Sequence, residues 1–524
     1  MGKVKNILFV MYDQLRADYL GCAGHPTQKT PHIDAFAARS VMFTKAYCQA
    51  PVCGPSRASF YTGRYMSSHG GTYNNVPFSI DQWTMGDYLR TVGMRSVLVG
   101  KTHMAPDRAG MERLQIDGTS DLGVWVSQCG FEPFERDDGL HPDQSVDPNL
   151  AYNNYLRALG YEGDNPWHDF ANSAEGPNGE VLSGWQMRHA RLPARVADEH
   201  SETPYMTSRA IEFMDQAGDE PWCLHLSLIK PHWPYVAPEP YNEMYSANQI
   251  LPVNMTAREV EDRHPVVGAF MDHEGSENFR RDEVRQTVIP AYMGLISQCD
   301  DQFGRLIAYL EEQGRMEDTM IVVTSDHGDY LGDHGLAEKD LLHEEVARIP
   351  MIIYDPDQAA NSRRGAVDER LVEAIDLIPT FLDSQGGDLF DHRLEGRSLL
   401  PLLRGGEVDE WRDAVFSETD YTFHPARHAL GVAPDKARAY MIRTAEWKYI
   451  LYEGYRPQLF DMIADPREQN DLGTDPGHGE KRAEMHERLF HWLRNRRMRT
   501  AMTTEVAEQR TGKAKSRGFR FGVW

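Results

Sequence analysis

Four short apolar runs punctuate the first two-thirds of the chain, and each ends in a polar cluster. Ile7 to Met11 ends at Asp13-Gln14, Ser96 to Val99 at Lys101-Thr102-His103, Trp222 to Ile229 at Lys230-Pro231-His232, and Met320 to Thr324 at Asp326-His327. Short apolar, β-branched runs of this kind suit strands buried on both faces of a parallel sheet. Between them the pattern predicts helices over Pro31 to Arg39, Trp83 to Val92 and Tyr292 to Glu312. In the last, Leu295, Ile296, Phe303, Leu306, Ile307 and Leu310 form a stripe at helical spacing. Strands alternating with helices predict an α/β fold built on a doubly wound sheet flanked by helices. Ligands of open α/β sheets bind beyond the carboxyl ends of the strands, so the four polar ends are expected to converge.

The stretch from about Gly110 to Ser201 is rich in Gly, Asp, Asn and Pro and predicts loops and insertions that wall a pocket. After the run Met351 to Tyr354 and a helical pattern over Leu371 to Leu382, Leu399-Leu400-Pro401-Leu402-Leu403-Arg404-Gly405-Gly406 marks a boundary, giving a catalytic domain over residues 1–405. Beyond it Val415 to Ser417, Arg438 to Arg443, Trp447 to Tyr452 and Gln458 to Asp461 predict a small antiparallel sheet. With a covering helix over Glu480 to Arg496, this makes a second α+β domain over residues 406–496. The tail, 497–524, is basic and polar until Phe519, Phe521, Val523 and Trp524. An alternating apolar terminus on a polar tail reads as an arm that docks on a neighbour, which predicts a homo-oligomer, dimer or tetramer.

Charge and cysteine usage narrow the partners. A formal net charge of -24 over 524 residues excludes a general preference for nucleic acid. An anionic substrate would meet the same repulsion at long range, so a local cationic pocket has to overcome it. The N-terminus runs directly into the first apolar stretch and carries no signal-peptide pattern, and no stretch is apolar enough to span a membrane. Six cysteines, Cys22, Cys48, Cys53, Cys129, Cys223 and Cys299, show no paired spacing, which fits a reducing, cytoplasmic setting.

The chemistry centres on Cys53-Gly54-Pro55-Ser56-Arg57, a thiol at the entrance of a predicted helix with Pro55 as its first helical residue. Unpaired N–H groups at such an end favour a thiolate and an anionic substrate, and Arg57 falls on the same face as Cys53. A buried structural cysteine fits the same residues. Asp13 and Gln14 at one strand end, with Asp326 and His327 at another, offer a mixed oxygen and nitrogen set for one divalent cation. Ca²⁺ suits the oxygens, and Mn²⁺ is favoured by the imidazole. Taken singly, acidic residues at strand ends also serve as helix caps. Lys101, His103, His232 and Lys339 together would make a cationic pocket for an oxyanion, although each alone is compatible with a solvated lysine or a structural histidine.

The order Cys53-x-Pro55-Ser56-Arg57 followed by Thr62-Gly63-Arg64, with Ser325-Asp326-His327-Gly328, resembles the sulfatase family of the alkaline-phosphatase-like hydrolases. Gly100-Lys101-Thr102-His103, Lys230-Pro231-His232 and the Asp465-Pro466-Arg467-Glu468 turn near the C-terminus are similar to sulfatase segments as well, so the likeness covers nearly the whole chain. The resemblance implies an alkaline-phosphatase-like fold and conversion of Cys53 by a formylglycine-generating enzyme to formylglycine, an aldehyde whose hydrate supplies the attacking oxygen. It implies that Asp13, Gln14, Asp326, His327 and residue 53 hold the cation. It also implies that Arg57 and His103 support the hydrate, that Lys101 and Lys339 contact the sulfate, that His232 assists the leaving group and that Asn74 lies in the substrate pocket. Most sulfatases carry Asp-Asp where this chain has Asp13-Gln14; Asp-Gln resembles the bacterial phosphonate monoester hydrolases, a sister group in which Tyr and Thr stand in place of Lys101 and His103. The expectation is therefore an arylsulfatase-like hydrolase with overlap onto phosphonate esters. A phosphonate monoester hydrolase or phosphodiesterase, and a metal-stabilised binding protein with unconverted Cys53, are the rival readings.

Overall fold

A computed structural model of the protein describes residues 4–145, 147, 149–408, 410–520, 522 and 524. Its strands are β1 (Asn6–Asp13), β2 (Val41–Tyr47), β3 (Arg95–Gly100), β4 (Glu132–Arg136), β5 (Ser173–Glu175), β6 (Val181–Ser183), β7 (Trp222–Pro231), β8 (Thr319–Ser325), β9 (Arg348–Tyr354), β10 (Ala366–Asp368), β11 (Val372–Glu373), β12 (Ala414–Asp420), β13 (Arg438–Thr444), β14 (Trp447–Tyr452) and β15 (Gln458–Asp461). The main sheet runs β10-β2-β9-β8-β1-β7-β3-β4, with β11 beside β2.

All eight residues of β1 are buried because the strand has helices on both sides. Leu8, Val10 and Tyr12 face a cluster shared with the helices Glu202–Gln216 and Asp282–Glu312. Ile7, Phe9 and Met11 face another, shared with Phe60, Tyr61, Ile378 and Phe381. That two-sided burial is why the run shows no alternation of polar and apolar residues. The helix Asp282–Glu312 begins ten residues before the expected Tyr292 and carries Pro290 in its interior.

One strand departs from the expected parallel arrangement. β8, β1, β7, β3 and β4 pair parallel, whereas β9 pairs antiparallel with both β8 and β2. The reason is the connection: from the carboxyl end of β8 the chain loops through 326–347 and re-enters from the same edge, with only the short helical turns Asp333–Gly335 and Glu344–Ala347 and no crossover. β2, which the apolar pattern did not single out, ends at that edge too and delivers the chain to Cys53.

The C-terminal sheet is a meander, β12-β13-β14-β15, all antiparallel. The helix Gly479–Arg494 seats Met485, Leu489 and Trp492 on one face, against Ile442, Tyr449 and Leu459. Met441, Ile450, Tyr452 and Phe460 on the other face pack with Tyr330, Leu336, Leu341 and Leu342, residues of the loop after β8. Lys448 Nζ adds ion pairs at 2.8 Å to Glu468 and 3.2 Å to Glu344. The small sheet thus clamps a loop of the large one. In the tail, Thr504–Arg510 is helical and Phe519 and Trp524 are exposed; Phe521 and Val523 lie outside the described residues. The six cysteines are free, and no described helix is long and apolar enough to cross a membrane.

Candidate active site

The carboxyl ends of β8, β1, β7 and β3 are neighbours, so Asp326, Asp13, His232 and Lys101 are delivered to one edge. Cys53 reaches the same place as the first residue of α2 (Cys53–Thr62), which follows α1 (Pro31–Ala37), is buried along its whole length and is ended by Gly63 in the left-handed conformation. Pro55 stands in its third position, two residues later than expected.

Cys53 Sγ lies 3.1 Å from Lys339 Nζ, 3.2 Å from His327 Nε2 and 3.6 Å from Asp13 Oδ1. Burial pushes the thiol up, but the charges of Lys339, Lys101 and His327 outweigh it and hold it well below the ordinary thiol range. Asp13, Cys53, Asp326 and His327 are all buried and place their ligand atoms within 4.8 Å of one another. The His327 ring nitrogen Nδ1 lies 2.8 Å from the Gly328 carbonyl, an acceptor only, so Nδ1 carries a proton and Nε2 is the nitrogen turned towards the cluster.

Arg57 does something other than hold the thiol. Its Nε donates to Asp326 Oδ2 at 2.9 Å and Nη2 to Asp13 Oδ2 at 3.3 Å, while Nη1 reaches the Lys101 carbonyl at 2.8 Å and Ser227 Oγ at 2.6 Å. The guanidinium is fully buried and fixes the two carboxylates relative to each other. Lys101 Nζ forms a further ion pair with Asp13 Oδ2 at 2.5 Å, without hydrogen-bond alignment. Asp13 is held well below the ordinary carboxylate range: burial and Cys53 raise it, and cations led by Lys101, with Arg57, lower it further. The turn before Lys101 needs Gly100, at φ +107°, because a Cβ there would sit 2.0 Å from the Ser227 carbonyl.

Gln14, at φ 66°, gives its main-chain N–H to Asp326 Oδ1 at 3.0 Å, and its carboxamide oxygen accepts from Lys339 at 2.9 Å. Its Nε2 donates to Asp329 Oδ2 at 2.5 Å, and Tyr235 donates to the same oxygen at 2.6 Å. Lys339 completes its three contacts on His232 Nε2 at 3.1 Å. His232 Nδ1 lies 2.7 Å from the Trp233 carbonyl and therefore carries the proton. Burial, Lys339 and Lys101 bring this ring down to about 4, so it is neutral and turns an acceptor towards Lys339. His103, at φ 53°, is set by Asp138 Oδ1, which accepts from the Thr102 and His103 main chain at 2.9 and 3.1 Å. Asn74 caps the helix: its Oδ1 accepts the Gly54 N–H at 2.8 Å, one of the donors expected to be free.

Asp329, Tyr235 and Ser227 were missed from sequence. Asp329 falls inside the run around Asp326-His327, where its spacing does not set it apart; Ser227 lies in mid-strand in β7 and carries no local signal. The model of the family described as Sulfatase matches residues 5–386. The chain belongs to the sulfatase family. A second model, for the C-terminal region of N-sulphoglucosamine sulphohydrolase, matches residues 332–495, the stretch that contains most of the clamped loop and all of the meander. Among curated sulfatase relatives, the chain is 30% identical to the multifunctional alkaline phosphatase superfamily protein PehA of Trinickia caryophylli, over 93% of this chain and 95% of that protein. It is 27% identical to an arylsulfatase of Clostridium perfringens, over 89% of this chain and 90% of the other. The phosphonate monoester hydrolase of Silicibacter pomeroyi superimposes with a TM-score of 0.83 at 29% identity, covering 96% of this chain and 98% of that one. Sulfatases generally use a divalent metal and formylglycine, and the buried group of two carboxylates, one sulfur and one metal-facing imidazole fits such an ion.

Proposed function

We propose that this protein hydrolyses sulfate monoesters, arylsulfatase-like, with Cys53 converted to formylglycine and with phosphonate esters as secondary substrates. The observation that carries the reading is the pair of lysines at residue 53: Lys339 Nζ 3.1 Å from Sγ and Lys101 Nζ 2.5 Å from Asp13, both buried. Two fixed cations in a pocket closed to water stabilise an oxyanion far more than exposed ones would.

Asp13, Asp326 and His327, with Gln14 and residue 53, would hold the divalent ion, Ca²⁺ or Mn²⁺. Such an ion supplies Lewis-acid stabilisation of the nucleophile and the ester oxygens. Formylglycine supplies a hydrated aldehyde whose second hydroxyl allows sulfate to be expelled without attack by water at sulfur. Arg57 keeps the two carboxylates in register. Lys101 and Lys339 neutralise the ester, and His103 stands beside residue 53 to take the proton during breakdown. His232, neutral with its Nδ1–H given to Trp233, orients Lys339 beside residue 53, where the ammonium charge offsets the negative charge that develops on the departing oxygen. Asn74 keeps the entrance of α2 fixed. The maturation partner is a formylglycine-generating enzyme acting on Cys53, and the exposed Phe519 and Trp524 of the tail support an oligomerisation arm.

Phosphonate monoester or phosphate diester hydrolysis is the second reading, favoured by Gln14 and by the similarity to the Silicibacter pomeroyi enzyme. Catalytic efficiency measured on matched aryl sulfate and aryl phosphonate esters separates the two. A higher kcat/KM for the sulfate supports the first reading; a strong phosphonate preference overturns it.

A further inference from the structure

A cavity of about 230 Å³ opens beside His232, and none of the roles assigned above uses it. Its wall is made chiefly by Trp185, Met187, Trp233 and Phe279, with Glu338 as the one ionisable carboxylate. The cavity meets the reacting cup at three points. Trp233 follows His232, with ring centroids 4.3 Å apart. Tyr235, whose hydroxyl binds Asp329, lines it as well. Glu338 precedes Lys339. A group attached to an oxyanion held between Lys101 and Lys339 would extend into this space.

Two features define what it accepts. Trp185 and Trp233 stand 5.4 Å apart at 67° to each other, and the Nε1 atoms of both are buried without a partner. Their N–H groups therefore point away from the opening, and ring carbon lines it. Glu338 is fixed in the left-handed conformation at φ 58°, a costly state for a non-glycine residue. Its carboxylate receives no hydrogen bond among the described residues. The adjacent Lys339 is committed to Gln14, Cys53 and His232. At the rim of the adjoining cavity Arg188 donates to Gln186, and Arg281 donates to Asn278.

We propose that this cavity is the leaving-group subsite and that it takes an alcohol carrying a positive charge on an apolar frame, an alkylammonium or quaternary ammonium group, with Glu338 as counter-charge and the indoles of Trp185 and Trp233 as its walls. The proposal rests on the ester-hydrolase reading of the preceding section. Indole faces attract such cations, and a partly desolvated carboxylate that receives no hydrogen bond, with only the committed Lys339 and the neighbouring His273 to offset its charge, gains a further counter-charge from a positive ligand. A polyhydroxylated sugar would need several convergent polar groups, and this wall offers one. The ester so defined is a zwitterion, and its positive end offsets the repulsion that a chain of net charge -24 exerts on an anion.

The test compares choline O-sulfate with 3,3-dimethylbutyl sulfate, the same shape without the charge. Wild-type protein is expected to prefer the charged ester in kcat/KM by about tenfold or more. Glu338→Gln is expected to bring the ratio close to one, and since both esters are measured on each variant, a general loss of activity cancels. Trp185→Ala is expected to weaken both esters, Trp185→Phe to recover much of the loss, and thermal unfolding of each variant confirms that it folds. Calorimetry with choline and 3,3-dimethylbutanol reads the subsite without catalysis, and choline should bind wild type more tightly than Glu338→Gln. Choline binding that depends on Glu338 in protein that turns over no ester would overturn the hydrolase reading and uphold the subsite. Equal kcat/KM for the two esters, or choline binding that is absent or unchanged in Glu338→Gln, would overturn the subsite.

Discussion

Arg57 Nε lies 2.9 Å from Asp326 Oδ2, with both side chains fully buried. The same guanidinium reaches Asp13, so one cation from α2 joins the ends of two adjacent strands, β1 and β8. Removing it leaves two buried carboxylates short of a counter-charge. Arg57→Ala is therefore expected to lose about 3–5 kcal/mol of stability, the usual cost of breaking a buried pair from one side. Denaturant unfolding at neutral pH checks this, and a loss below about 1 kcal/mol, the range of a surface pair, would contradict it.

The carboxylates, sulfur and imidazole gathered within 4.8 Å make the folded chain the binding form for a divalent ion, while an unfolded chain holds no such group. Chelator-treated protein is expected to unfold at lower temperature than protein with Ca²⁺ or Mn²⁺. At a hundredfold excess over Kd the ion adds about 2.7 kcal/mol. Asp326→Asn should abolish most of that increment. An unfolding temperature indifferent to both ions and to chelator would count against a metal in this cup.

Lys339 touches Gln14, residue 53 and His232 at once, which makes it the side chain most exposed to the consequences of substitution. Lys339→Met is expected to lower kcat/KM for an aryl sulfate by about 10²–10³-fold, the range for loss of one oxyanion donor. His232→Gln, which keeps an acceptor for Lys339, should fall less than His232→Ala. Equal losses in the two His232 variants would contradict an orienting role.

A pH effect is expected away from the cup. His225 in β7 is buried between the Phe9 carbonyl at 3.1 Å and the Tyr61 hydroxyl at 2.9 Å. Burial, with help from Arg57, brings its pKa down to about 3 from 6.5. The folded state thus refuses a proton that the unfolded chain accepts. Stability is fully present above pH 6.5 and falls as pH drops from 6.5 towards 3, by a few kcal/mol if the pH is taken that far. His225→Gln should flatten the slope between pH 7 and 5 in denaturant titrations, whatever its effect on absolute stability. An unchanged slope would show that other groups carry it.

The strand ends were legible because burial on both faces writes a continuous apolar run, and the polar residues that stop the run are the ones the sheet delivers to its edge. That logic singled out Asp13, Gln14, Lys101, His103, His232, Asp326 and His327, which the sheet brings to one edge. It missed β9's direction, since reversal depends on the absence of a crossover rather than on any property of Arg348 to Tyr354. It also misread Arg57, because helical spacing puts this side chain on the face of Cys53 but says nothing of the carboxylates that arrive from β1 and β8. Ser227 and Glu338 left no local trace. One acts through its place in mid-strand, the other through a left-handed backbone and a cavity assembled from segments far apart in the chain.

The most direct test is the mass of the Cys53 peptide in protein from its native host that turns over an aryl sulfate. The account predicts a peptide without the thiol sulfur, carrying an aldehyde or its hydrate that a hydrazine reagent traps. A thiol at residue 53 throughout the active protein would contradict it.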